Sequence, residues 1–279
     1  MPPVAVFLDF LYVQFYGVGP GSSGVAYRTL GVIRSAVSSV AFINGEPAGQ
    51  HRLVVQFMKA AFRARPALPR YSSTWDPDVV LGYLSRLGDN ASLPIVVLSR
   101  KLTCLLLLLS GQRFQTIEKF DIRNMTFTNG GVSFRIGDLL KTSSARFHLS
   151  EVSYLEYPVD RTLCVVTALR VYLDRTSASR LGGSLSRLLI TSRPPFRAVS
   201  RSTLMRWTRD LLGAAGVDLT TFRPYSVKAA GVSSAASSLS LHTLMSSVGW
   251  RRESTFRGFY HMPVSQFGVF GAAVLANRP

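Results

Sequence analysis

The chain reads as a mainly α-helical protein of two domains, the second carrying a small antiparallel β-sheet. Three observations lead there. Of its 279 residues, 47% are hydrophobic and only 17% charged, the balance of a folded chain rather than of a disordered basic tail. Apolar residues recur at helical spacing through most of the sequence. Period-two alternation is confined to one stretch, residues 125–152.

Taken in order, VAYRTLGVIRSAVSSVAF (25–42) has an apolar face with Arg28 and Arg34 on the other side. HRLVVQFMKAAFRA (51–64) repeats the pattern until Pro66 and Pro69 break it. STWDPDVVLGYLSRLG (73–88) opens with a Ser-Thr pair and Asp76-Pro77, a good cap and first turn, and Gly88 ends the helix. GDNASLP (88–94) is the expected linker, dividing a helical domain at 1–90 from a second domain at 91–279. Ser99 to Lys119 then reads as one strongly apolar helical region whose conspicuous charge is Arg113. MTFTNGGVSFRIGD (125–138) is a hairpin about Asn129-Gly130-Gly131, and ARFHLSEV (145–152) continues as strand. Helices follow at 163–176, 202–217, 226–239, 240–249 and 254–260.

The formal charge of +17 is extreme for so apolar a chain and points to a polyanion, nucleic acid first and a membrane surface second. Lysine occurs only at Lys59, Lys101, Lys119, Lys141 and Lys228, so the charge is carried by arginine, whose planar fork suits phosphate. The longest apolar run, Leu102 to Leu109, is too short to span a bilayer. The first residues lack the positive region of a signal peptide. Cys104 and Cys164 lie in apolar helical patterns and read as buried free thiols of an intracellular, reducing compartment.

Several signals of other chemistries fail. GVGPGSSG (17–24) lacks the Gly-Lys-Ser/Thr ending of a phosphate loop. His51, His148, His242 and His261 share no metal-ligand spacing, and no acidic pairs of a two-metal nuclease are evident. No Gly-x-Ser-x-Gly elbow occurs. What remains suits metal-free cleavage of a phosphodiester, which needs a nucleophile, cations for the non-bridging oxygens and an acid for the departing oxygen. SGQRFQTI supplies Arg113, GDLLKTSS supplies Lys141, FRPYSVKAAG places Tyr225 and Lys228 three apart on one helix face, and VGWRRESTFRGFY supplies Trp250 and Tyr260.

In that order these motifs resemble the tyrosine recombinases, most closely those of the DIRS-like retrotransposons of eukaryotes. The resemblance covers nearly the whole chain, with YRTLGVIRSAVSSV and RYSSTWDPDVVLGYL similar to the family's helical core-binding, DNA-clamping domain. It implies that Arg113 grips the scissile phosphate, Lys141 protonates the leaving oxygen, and Trp250 donates its indole N–H to the phosphate. It implies that Tyr260 attacks to form a 3′-phosphotyrosine, with no metal, ATP or small-molecule cofactor. The implied partner is double-stranded DNA, with four copies assembled on two DNA sites, in the nucleus and away from membranes. The apolar tail VSQFGVFGAAVLANRP (264–279) is expected to dock into a neighbouring copy in that assembly. Fewer residues precede Tyr27 than the family carries, which implies an N-terminally truncated first domain.

Two positions depart from the family. Its His-x-x-Arg is Tyr225-Ser226-Val227-Lys228 here, and lysine keeps the charge of the second arginine but loses its fork. Three readings stay open: an active strand-transfer enzyme, a catalytically impaired DNA-binding relic on the same fold, and an unrelated basic helical protein that binds membranes or RNA. Lys228→Arg is expected to raise a weak activity under the first. Each residue also has a plainer role: Arg113 as partner of Glu118 or Asp121, Lys141 as a solvated turn lysine, Trp250 and Tyr260 as packing aromatics, and Arg251, Arg252 and Arg257 as a solvated face.

Overall fold

A computed structural model describes residues 4–19, 21–67, 71, 73–180, 185–250, 253–260 and 262. It separates into two units, Met1–Arg70 and Tyr71–Pro279. The first is built on three helices, α1 (Val4–Tyr16), α2 (Tyr27–Ser38) and α3 (Arg52–Ala64), with a small hairpin, β1 (Phe42–Ile43) and β2 (Glu46–Pro47). Phe7, Leu11 and Phe15 fall four apart on α1 and meet Leu30 of α2 and Val54, Met58 and Ala61 of α3 in one buried cluster. The hairpin turns on Asn44-Gly45, both at positive φ, the conformation that matches the twist of paired strands. Neither α1 nor this hairpin is among the elements expected above. Helix α1 is apolar almost all round, so its period is masked, whereas the Asn-Gly dipeptide is a legible turn signal.

The second unit centres on α5 (Ile95–Leu108), buried along nearly its whole length from Leu98 onward and packed against α7 (Val165–Thr176), α8 (Arg201–Ala214) and α9 (Ser226–Ala235). Helix α4 (Pro77–Arg86) precedes it, with Asp76 capping the Asp78 N–H at 3.0 Å. A three-stranded antiparallel sheet, β3 (Met125–Thr128), β4 (Gly131–Arg135) and β5 (Glu151–Leu155), runs in the order β3-β4-β5. Val132 and Phe134 of β4 pair with Tyr154 and Val152 of β5 and face the core. The Tyr154 hydroxyl donates to the Leu106 carbonyl (2.8 Å), fastening the sheet to α5. Short helices α6 (Phe114–Glu118), α10 (Leu241–Val248) and α11 (Glu253–Phe259) complete the unit. The fold is thus mainly α with small antiparallel sheets, as expected. Both cysteines are buried and free, and burial pushes the Cys104 thiol up to about 12. Among the described residues no helix is long and apolar enough to cross a membrane.

Three local expectations change. The units divide at Arg70/Tyr71, not at GDNASLP. Val80 and Leu84 of α4 are buried with Leu98 and Leu102 of α5, so α4 belongs to the second core. The 88–94 stretch is tied into that unit: Lys101 Nζ donates to the Gly88 carbonyl (3.2 Å), Asn90 to the Arg161 carbonyl (3.3 Å), and Arg175 to the Leu93 carbonyl. The 99–119 region is two helices, because α5 ends at Leu108 and α6 begins at Phe114. The alternation at 145–150 does not become strand. His148 bridges the Ile136 carbonyl and the Ser143 hydroxyl, both at 2.8 Å, and holds that segment as a loop; the ladder of β5 starts at Glu151. Tail residues 264–279 and Arg251, Arg252 and His261 lie outside the described residues.

Candidate active site

Arg113 is set by the break between α5 and α6. Gly111 takes φ +59°, and a Cβ there would meet Val232 Cγ2 of α9 at 2.8 Å, so the chain can turn this close to α9 only as glycine. Gln112 then ties the turn to α10, its side-chain amide donating to the Ser247 carbonyl at 3.0 Å. Arg113 follows as the N-cap residue of α6, with extended backbone and a partly exposed side chain. The plainer partners named above are engaged elsewhere. Glu118 accepts the Arg201 N–H at 3.0 Å, and Asp121 pairs with Arg123 at 2.9 Å. Burial pushes the Asp121 carboxyl up, but hydrogen bonds from Arg123 and Ser186 pull it down to about 2.

Helix α9 carries the next pair. Its start is anchored by the Trp75 indole, which donates to Ser226 Oγ at 2.8 Å. Its middle touches α5 backbone to backbone: a Cβ at Gly231 would meet the Leu108 carbonyl oxygen at 2.3 Å. Close packing of this kind drives Lys228 inward until the residue is 5% exposed. Its amine has no hydrogen-bond partner among the described residues. Burial, and then the charge of Arg113, hold that amine well below the ordinary lysine range. Tyr225 goes the other way. It occupies the N-cap position, is half exposed, and meets the ring of Phe114 edge-on at 5.1 Å. The two residues three apart therefore do not share an environment, because the helix begins between them.

Gly249 in the left-handed conformation ends α10 and lets the Trp250 N–H return to the Met245 carbonyl at 2.9 Å. Trp250 is thereby turned into a cluster with Val232, Leu244, Val248 and Phe256. Its indole N–H is buried and unpartnered among the described residues. Tyr260, just past α11, lies against it with ring centroids 4.6 Å apart. Ser233 of α9 fixes that segment by donating to the Tyr260 carbonyl. Lys228 Nζ stands 4.9 Å from the Trp250 ring centroid and 5.5 Å from that of Tyr260. Packing and polar roles are thus combined: the rings cover the amine while leaving two buried donors unsatisfied.

Lys141 is exposed, on the loop after β4. Its backbone N–H donates to the Gln115 side chain at 3.0 Å, which tethers it to the helix that Arg113 opens. Arg113, Lys228, Trp250 and Tyr260 are brought together, and Lys141 and Tyr225 border them through α6. Gln112, Gly231 and Ser233 also position the site; the sequence carries only a glycine in a helical pattern as a hint of this. A second cationic feature is a pocket of about 480 Å³ lined by Arg206, Arg209 and Arg223 over Leu219 and Phe222. A hollow of about 490 Å³ between α4, α5, β5, α9 and α10 is lined by none of the six predicted residues. Arg257 is engaged by Glu253 one turn earlier, as on a solvated helix face. Among the described residues no three His, Cys, Asp or Glu converge as a metal site.

No protein-family model matches the chain, and no curated protein matches it in sequence. Solved structures do. It is similar to the XerH site-specific recombinase bound to palindromic difH substrate in a post-cleavage complex, at TM-score 0.61 and 13% identity, over 99% of this chain and 73% of that one. It is also similar to the Tn1549 transposon integrase in complex with transposon right end DNA, at TM-score 0.58 and 12% identity, over 98% of this chain and 85% of that one. The XerA recombinase matches at TM-score 0.50 and 14% identity, over 98% and 90% of the two chains. The likeness is one of fold, shared with tyrosine recombinases and integrases.

Proposed function

We propose that the chain is a DNA strand transferase of the tyrosine recombinase type, derived from a mobile element. The observation that carries this is the pair of buried, unpartnered donors, Lys228 Nζ and Trp250 Nε1, beside the ring of Tyr260, with the charge of Arg113 acting on Lys228. Buried donors without acceptors are costly, at about 1–3 kcal/mol each and more when charged, and an anionic ligand satisfies both. The fold supports the same reading, since the similar structures are of recombinases and integrases on DNA.

In this reading a backbone phosphate sits among Arg113, Lys228 and Trp250, which stabilise the charge that grows on its non-bridging oxygens. The Tyr260 hydroxyl gives up its proton to water as its oxygen attacks phosphorus, the bond to the 5′-oxygen breaks, and Lys141 donates a proton to that oxygen as it leaves. The 3′-phosphotyrosine keeps the energy of the phosphodiester bond. A 5′-hydroxyl from a partner strand then attacks it, restoring the tyrosine and rejoining the DNA. Tyr225 is exposed enough to donate its hydroxyl to the phosphate backbone. The first unit clamps the duplex, and four copies act on two duplexes. The element is of the DIRS-like retrotransposon type, and the site of action is the nucleus.

The test is covalent trapping. The protein is incubated with a nicked duplex whose short fragment diffuses away after cleavage, beside a Tyr260→Phe control. A denaturation-resistant adduct that requires Tyr260 is expected, and the size of the native complex reads the number of copies. Duplex binding without an adduct would leave the second reading, favoured by lysine at 228: a DNA-binding relic with a former nucleophile.

A further inference from the structure

Lys228 is not a shorter arginine. Its side chain is nine-tenths buried or better, its amine lacks a hydrogen-bond partner among the described residues, and two aromatic rings cover it. Among the described residues, Arg113 at the start of α6 acts on it with a like charge, and no carboxylate does. Helix α5 presents leucines to α9, its own Lys101 being occupied with Gly88. From the α4 side the contact to α9 is the uncharged Trp75–Ser226 bond. Trp250 adds an N–H donor, and Tyr260 is the titratable neighbour. Burial and the charge of Arg113 thus oppose a positive charge on this amine, the ring faces of Trp250 and Tyr260 offset them only in part, and an anion seated beside it reverses the balance.

We propose that phosphate binding at this site is coupled to proton uptake: Lys228 is uncharged in the free protein and takes one proton from solution as the anion seats among Lys228 Nζ, Trp250 Nε1 and Arg113. The proposal rests on the reading of this cluster as a phosphate site. It gives the lysine a role that arginine cannot fill, because a guanidinium stays charged throughout the accessible pH range. A permanent cation here is uncompensated whenever the site is free, whereas the amine is charged only while the phosphate is present. Burial holds the free amine below the ordinary lysine range, and the anion raises it. Between those two limits the bound state holds one more proton, so affinity falls by up to about tenfold for each unit rise in pH. Below the lower limit both states are charged and the affinity is level.

The probe is sulfate, a doubly charged tetrahedral anion that does not titrate across neutral and alkaline pH. Its binding is followed by tryptophan fluorescence, with Trp250→Phe identifying the share that comes from Trp250. In the parent protein the sulfate affinity is expected to fall with rising pH, approaching tenfold per unit. In the Lys228→Arg protein it is expected to stay level over the same range. A level affinity in the parent, with Trp250 still reporting sulfate, would overturn the proton coupling and leave the anion site standing. Emission from Trp250 that ignores sulfate at every pH would remove both the coupling and the phosphate reading. Should Lys228→Arg fail to fold, calorimetry of sulfate binding to the parent in two buffers of different ionisation enthalpy counts the protons directly. A count near one supports the proposal, and zero overturns it.

Discussion

Gly231→Ala is the substitution whose effect the structure fixes most tightly. A Cβ at this position would lie 2.3 Å from the Leu108 carbonyl oxygen, a backbone atom of the buried helix α5. A carbon–oxygen contact requires about 3.3 Å, so α9 must withdraw by about 1 Å. Two effects compete. Alanine gains about 1 kcal/mol over glycine inside a helix. Overpacking against a rigid neighbour costs about 1–3 kcal/mol, and a backbone carbonyl cannot rotate aside as a side chain can. The clash wins, leaving a net loss of up to about 2 kcal/mol, or up to about 8 °C in melting temperature for a unit of this size. Because Lys228 rides on the same helix, a shift of about 1 Å also costs about a hundredfold in adduct formation. The control is Gly82→Ala on α4, where the nearest atom to a new Cβ is the flexible Arg86 Nη1 at 3.4 Å. There the helix gain stands alone and the protein should melt slightly higher. Thermal unfolding and adduct trapping measure both variants. A Gly231→Ala protein that melts at or above the parent and forms adduct at the parent rate would refute the argument, as would an equal loss in both variants.

Lys101 makes a prediction about pH. Burial lowers its amine to about 8, partly offset by Asp160 and Asp89. The unfolded chain therefore holds the proton more tightly, and the parent gains stability as pH rises from about 8 to about 10.5, by at most about 3 kcal/mol. Lys101→Met should flatten that rise and, near neutral pH, stabilise the protein despite losing the bond to Gly88; urea unfolding at neutral and alkaline pH reads both, and an unchanged slope would reject the assignment. Arg206, Arg209 and Arg223 predict a salt effect. Replacing all three with glutamine should weaken duplex binding for any sequence and lower the slope of log affinity against log salt by up to about 0.9 per arginine. An unchanged slope would mean that this pocket does not touch the DNA backbone.

Much of the arrangement is written locally. Helices α7, α8, α10 and α11 follow from apolar spacing and end signals, the Asn129-Gly130-Gly131 hairpin from its turn residues, and the net charge of +17 from composition alone. Of the residues singled out by motif order, Arg113, Lys228, Trp250 and Tyr260 lie near one another in the structure. The tertiary structure decided what depends on contact between distant segments. It placed α4 in the second unit through Val80 and Leu84, although the glycine- and asparagine-bearing stretch after it has the composition of a linker. It broke the 99–119 region at Gly111, whose left-handed turn lies too close to Val232 for a side chain. It also separated Tyr225 from Lys228, leaving one half exposed and burying the other without a partner. Sequence pattern records which residues are apolar and how they repeat; whether a lysine ends in solvent or beneath two aromatic rings depends on how closely α9 approaches α5, and that distance is set by Gly231 and Leu108, whose contact no local pattern contains.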